Sequence, residues 1–194
     1  MRPDLASAPL AQLTVEDGYR PTSPKIPGAT GAHRKAGQHL AAIHAHHLHD
    51  MAQISLLIDQ IEASENPPEA LAHFVLASDM AKNLQMFGTL CGRECRALTF
   101  HHNAEEHHMF PALEDRAEDG IRAVIARLRA EHEVVHELLN RLASAAQALT
   151  YETTDARFAE VRAIFHQLHS IVKSHFHYEE TELEEAIGYF LDGI

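Results

Sequence analysis

Residues 95–113 read CRALTFHHNAEEHHMFPAL. Leu98, His101, Glu105 and Met109 recur three and four positions apart, the spacing of one face of an α-helix. A helix buried along that face would normally be apolar at all four places. Here a histidine and a glutamate stand inside the stripe, and a buried ionised carboxylate is costly unless it is paired or bound to metal. The stretch therefore sets the question for the rest of the chain: do other helices bring groups of the same kind to meet it?

Outward from this segment the helical spacing continues. Leu40, Ile43, His47, Met51, Ile54, Ile58 and Ile61 predict a first helix over about residues 38–64, with His44 on the same stripe. SENPPEA interrupts it, and Pro67 and Pro68 are placed to open a shorter helical piece around Leu71, Phe74 and Val75. A long helix over about 82–114 contains the quoted stretch, and Pro111 should end or bend it within a turn. Ile121, Val124, Ile125, Leu128, His132, Val135, Leu139 and Leu142 form a third long stripe reaching about 149. TYETTDA then offers Thr153, Thr154 or Asp155 as N-cap of a last helix. That helix carries Phe158, Val161, Phe165, Leu168, Val172, His175, Glu179 and Leu183, and fades near Gly188.

Strand-type alternation is hard to find, so the fold class is all-α. Short connections between long amphipathic helices predict an antiparallel up-down-up-down four-helix bundle over residues 37–194. Residues 1–36 hold Pro3, Pro9, Pro21, Pro24 and Pro27 with Gly18, Gly28 and Gly31. They read as an irregular N-terminal arm, either mobile or laid across the domain.

The chain has 28 acidic residues against 16 basic ones, a formal charge of -12. That balance argues against nucleic acid or an anionic membrane surface as partner. No run of eighteen apolar residues and no uninterrupted apolar segment near the start is visible, so the expected location is cytoplasmic. Cys91 and Cys95, one helical turn apart, are poorly placed for a disulfide and too few for a thiolate zinc site. They read as small buried hydrophobes. Histidine is the outlier: its 17 residues exceed lysine and arginine together.

Those histidines fall on the apolar stripes. The candidates are His44 on the first helix, His101 with Glu105 on the second, His132 with His136 on the third, and His175 with Glu179 on the fourth. Side chains at i and i+4 lie about 5–6 Å apart on one face, and packed helices about 8–10 Å apart, so all could reach a shared interior site. Imidazole and carboxylate without thiolate suit iron, manganese or zinc. The set is too large for one ordinary ion and fits two ions bridged by two carboxylates. His47 competes with His44, and Glu180 with Glu179. His102 with Glu106 forms an alternative register, turned by about 100° from His101 and Glu105. A lone stripe histidine such as His73 is ordinarily a hydrogen-bonded core residue. His33, His39, His49, His107, His166 and His177 read as surface or supporting groups, with His108 at the edge.

The runs CRALTFHHNAEEHHMFPAL, LRAEHEVVHELL and HFHYEE together closely resemble the hemerythrin-like (HHE cation-binding) family. The first helix, LAAIHAHHLHDMAQISLLI, is similar to that of an actinobacterial hemerythrin-like branch. The resemblance covers about residues 38–187 and implies a non-haem di-iron centre with an oxo or hydroxo bridge, in which zinc or manganese could replace iron. It would place His44 and His101 on one iron and His132, His136 and His175 on the other, with Glu105 and Glu179 bridging; some hemerythrin-like proteins lack the histidine at the His136 position.

It also implies a protein that binds and turns over O2, hydrogen peroxide or nitric oxide, in the manner of a catalase or peroxidase. Five histidines to two carboxylates favour reversible binding, which keeps an oxygen or iron sensor or carrier as the alternative. Leu84 and Gln85 stand where this branch is expected to have aromatic residues ahead of FGTLC, a departure that admits an oxygenase for a small organic substrate. The expected partner is a small diatomic or peroxide ligand, and the chain would be a monomer or homodimer.

Overall fold

The structure, a computed structural model, describes residues 5–15, 19–63 and 93–191. The short piece expected around residue 71, the start of the helix expected from 82, Leu84, Gln85 and the reading of the two cysteines lie outside what is described. Among the described residues all regular structure is helical. None of their helices is long and apolar enough to cross a membrane.

After two short 3-10 turns, Leu5–Ser7 and Leu10–Gln12, come α1 (Gly31–Gly37), α2 (His39–Ala63), α3 (Arg93–Ala104), a π-helical turn (Glu105–Met109), α4 (Phe110–Glu114), α5 (Asp119–Tyr151) and α6 (Asp155–Phe190). Thr154 is the N-cap of α6, its hydroxyl accepting from the Arg157 N–H at 3.3 Å. The stretch expected to be irregular to residue 36 is helical from Gly31. Its first turn is closed locally, the Thr30 N–H donating to His33 Nδ1 at 3.0 Å.

The helical path ends at Glu114, within a turn of Pro111, and Pro111 also reshapes the turn before it. The proline has no N–H for the carbonyl one turn back, and its ring crowds that carbonyl. The chain meets this upstream: Glu105–Met109 widens into a π turn, in which the Phe110 N–H donates to the Glu105 carbonyl five residues back. Helical path continues through Pro111, which sits in the first turn of α4. The wide turn buries Glu105 and Met109 together while His107 and His108 stay exposed. π turns inside α-helices frequently mark functional sites.

The core has two apolar parts. One is built from Met51, Ile58, Leu98, Val135, Leu139, Leu142, Phe165, Leu168, Val172 and Phe176, with Leu13 and Val15 of the N-terminal segment. The other gathers Leu40, Met109, Phe110, Leu113, Ile121, Ile125, Leu128, Tyr178, Leu183 and Ile187. On α5 the second part stops at Leu128 and the first begins at Val134, leaving Glu131 and His132 between them. The same interval on α2 holds His44 and His47, and around the junction of α3 with the π turn it holds His101, His102 and Glu105; all are buried. A polar layer is thus clamped between two apolar ones.

α1 lies directly on the backbone of α6. A Cβ at Gly188 would stand 1.7 Å from the His33 carbonyl oxygen, and one at Gly37 would stand 1.9 Å from the Glu184 carbonyl oxygen. Neither obstacle is a flexible side chain. Gly188→Ala is therefore expected to destabilise the protein by about 1–3 kcal/mol in urea unfolding, an overpacking cost that outweighs the gain of about 1 kcal/mol in helix propensity. An unchanged or raised midpoint would contradict this packing.

Candidate metal centre

The polar layer contains two groups of converging donors. His44, His101, Glu105 and Glu179 form one, and His102, His132 and His175 the other; within each group the donor atoms lie within 4.8 Å of one another. Glu105 spans the two groups. Its Oε1 is 2.8 Å from His101 Nε2 and 3.9 Å from His44 Nε2, while its Oε2 is 3.4 Å from His132 Nε2. Glu179 also faces both, with Oε2 at 3.6 Å from His44 Nε2 and 3.9 Å from His175 Nε2.

A second ring of carboxylates fixes the imidazoles. His44 Nδ1 is 2.9 Å from Glu180, His132 Nδ1 is 2.8 Å from Glu106, and His175 Nδ1 is 3.1 Å from Glu131. A ring nitrogen beside a carboxylate carries the hydrogen, which leaves the other nitrogen with its lone pair. His132 and His175 are both tied in this way, yet their Nε2 atoms face one another at 3.1 Å. Two lone pairs so placed repel unless something electron-poor lies against both. Ligands at right angles about 2.1 Å from a common metal would be about 3 Å apart. His44 Nε2 and His101 Nε2 meet similarly, at 2.9 Å.

The remaining atoms fit the same occupant. Both ring nitrogens of His102 and both oxygens of Glu179 are buried without a hydrogen-bond partner, and each such group costs about 1–3 kcal/mol. Burial first, and then the neighbouring His132 and His175 imidazoles, hold His102 well below the usual histidine range. Burial likewise pushes His175 down to about 4, against the opposing bond to Glu131. Both rings are neutral near pH 7 and their lone pairs are free for a cation. Burial raises Glu105, but the His101 and His44 imidazoles outweigh it and hold the carboxylate below its usual range. Glu179 is pushed well above that range by burial and then by the neighbouring charge of Glu105. Two carboxylates this close and this dry call for a cation if both are to be ionised.

A model of the Hemerythrin HHE cation binding domain matches residues 35–187. The chain belongs to this family. Among curated proteins and among solved structures the chain has no match. The hemerythrin domain is a cation-binding domain, and the two donor groups fit metal cations by residue type, by burial and by facing lone pairs.

Within this hemerythrin domain the expected candidates are distributed unevenly. His44, His101, Glu105, His132, His175 and Glu179 are brought together. His136 is not grouped with them, although its ring lies 5.5 Å from that of His102 and its Nε2 is buried without a partner. His102 occupies the third place instead, stacked on His132 at 4.0 Å between centroids. The reason is geometric, since α3 presents the junction between its two adjacent histidines to the layer and each turns toward a different group. His47 lies beside His101, 5.4 Å between ring centroids, outside both groups. Glu180 and Glu106 serve the outer nitrogens.

Glu131 was not singled out by its sequence context. Its signal is the doubling of acidic and ligand-type residues at adjacent positions: Glu105 with Glu106, Glu131 with His132, Glu179 with Glu180. In each couple one side chain faces the donor groups and its neighbour braces an imidazole from behind.

Proposed function

We propose that the chain is a non-haem di-iron protein that binds small uncharged oxidants, O2, hydrogen peroxide or nitric oxide, and turns over peroxide. The observation that carries the reading is the 3.1 Å approach of His132 Nε2 to His175 Nε2, with Glu105 spanning both donor groups. In this reading His44 and His101 hold one ion and His102, His132 and His175 the other, while Glu105 and Glu179 contribute to both. Iron held there would supply Lewis acidity and one-electron redox chemistry. Five imidazoles and two carboxylates also suit manganese or zinc, and iron is the assignment the hemerythrin family favours. The helices would complete an antiparallel four-helix bundle around the layer.

The protein's own groups do the rest. Glu106, Glu131 and Glu180 hold the outer hydrogens of His132, His175 and His44, fixing tautomer and ring direction. Phe176 stacks on His44 at 3.7 Å between ring centroids and closes the apolar side. A cavity of 380 Å³, walled mainly by Leu40, Ile43, Met109 and Ala112, reaches His101 and Glu105. Its walls carry no lysine or arginine, and their apolar side chains admit small neutral molecules. Ala112→Trp should narrow it, slowing nitric oxide association several-fold while leaving the metal content unchanged, as measured by stopped-flow mixing. An unaltered rate would mean entry by another route.

The same cavity favours a second reading. It is far larger than a diatomic needs, given that one water takes up about 30 Å³, and would hold a small apolar organic molecule beside the metal. Ferrous protein that consumes peroxide without any organic additive supports the first reading. Ferrous protein inert to peroxide and nitric oxide alike removes it.

A further inference from the structure

Arg20 lies in the N-terminal segment, far in sequence from every candidate ligand, yet its guanidinium ends in the ring of carboxylates behind them. Nε and Nη2 donate to the two oxygens of Glu131 at 2.8 and 3.0 Å. Nη1 reaches the hydroxyl and the carbonyl of Ser174, at 3.1 and 3.3 Å. Glu131 is 1% exposed and accepts from His175 Nδ1 at 3.1 Å. One side chain therefore grips both the carboxylate that directs the His175 ring and the backbone residue that precedes it.

The grip is itself held. The guanidinium lies 4.7 Å from the centre of the Tyr178 ring, and the Tyr178 hydroxyl donates to the Pro21 carbonyl at 2.7 Å. Arg127 Nε also donates to Glu131 Oε1, at 2.8 Å, and Arg127 Nη2 donates to the Val15 carbonyl. A two-pronged guanidinium contact fixes the carboxylate plane, which a lysine ammonium cannot do. The N-terminal segment makes another ion pair, Arg34 with Glu185 of α6 at 2.7 Å. That pair is at the surface and touches no candidate ligand, so docking the segment does not by itself require a charge at the centre.

We infer that Arg20 is a positioning residue of the metal centre: through Glu131 and Ser174 it fixes the His175 imidazole in the direction that ligation needs. The inference rests on the reading that His175 binds metal. It makes the N-terminal segment part of the centre rather than an appendage to the helices.

The test uses the full chain loaded with cobalt(II), whose visible bands report ligand geometry, and compares wild type with Arg20→Ala, Arg20→Lys and Arg34→Ala. Arg20→Ala should still take up cobalt but with shifted bands, and should lose one ion to a chelator about tenfold faster, the low end for loss of an outer partner. Arg20→Lys keeps the charge without the fork and should behave like Arg20→Ala, deciding the matter if the alanine variant does not fold. Arg34→Ala should keep wild-type bands and release, even if its metal-free form melts lower. Wild-type bands and release in both Arg20 variants would overturn the inference, as would equal changes in Arg34→Ala. Wild-type protein that binds no cobalt would instead overturn the metal reading itself, and the clamp with it.

Discussion

Glu105→Ala should deprive the protein of both metal ions. Glu105 offers one oxygen to each donor group: Oε1 is 2.8 Å from His101 Nε2, and Oε2 is 3.4 Å from His132 Nε2. Loss of an outer partner of a ligand costs about 10–100-fold in metal affinity, and loss of a ligand shared by two ions should cost more than that at each. Burial leaves no water to replace the missing oxygens readily. The metal-free variant should be less stable than metal-free wild type, because the His101 and His44 imidazoles lose the buried carboxylate that they hold ionised. What also disappears is the stabilisation that metal adds, about 2.7 kcal/mol at a hundredfold excess over the dissociation constant. Paired melting curves with and without metal check both halves of this expectation. His107→Ala, two positions away and exposed, should match wild type in every respect.

His102→Leu and His136→Leu separate the observed arrangement from the one the family resemblance implies. His102 is fully buried, stacked on His132 and grouped with His132 and His175. Its replacement should remove one of three imidazoles from the second ion and leave the first group intact. Metal analysis after dialysis should then find close to one ion per chain, with peroxide turnover abolished. His136→Leu should retain two, since its ring nitrogens fall outside both donor groups. The reverse outcome, two ions in His102→Leu and one in His136→Leu, would restore the ligand set expected from sequence.

The long helices were legible because their apolar stripes run for many turns, and periodicity over that length has no competing explanation. The π turn was not. It depends on how the chain accommodates Pro111 while keeping both Glu105 and Met109 inside, which a fixed 3.6-residue period does not represent. α1 was missed for a related reason. GAHRKAG is too short to hold as a helix by itself, and its stability comes from contact with α6, where Gly37 and Gly188 allow backbones to meet.

The centre shows the same division. His101 with Glu105, and His175 with Glu179, announce themselves because each couple shares one face of one helix. The choice between His102 and His136 turns on the rotation of α3 about its own axis, fixed by tertiary packing. Glu131 and Arg20 were invisible along the chain, since Glu131 meets His175 across 44 residues and Arg20 meets Glu131 across 111. Local spacing finds ligands that share a helix; the groups that aim them are supplied by distant segments.

The most direct measurement is the metal content of wild-type protein reconstituted with ferrous iron without oxygen and freed of unbound metal, read by elemental analysis per chain. Two donor groups with Glu105 between them predict two irons per chain, with Glu105→Ala retaining none. Wild type that retains no iron, or only one that survives the loss of Glu105, would contradict the account.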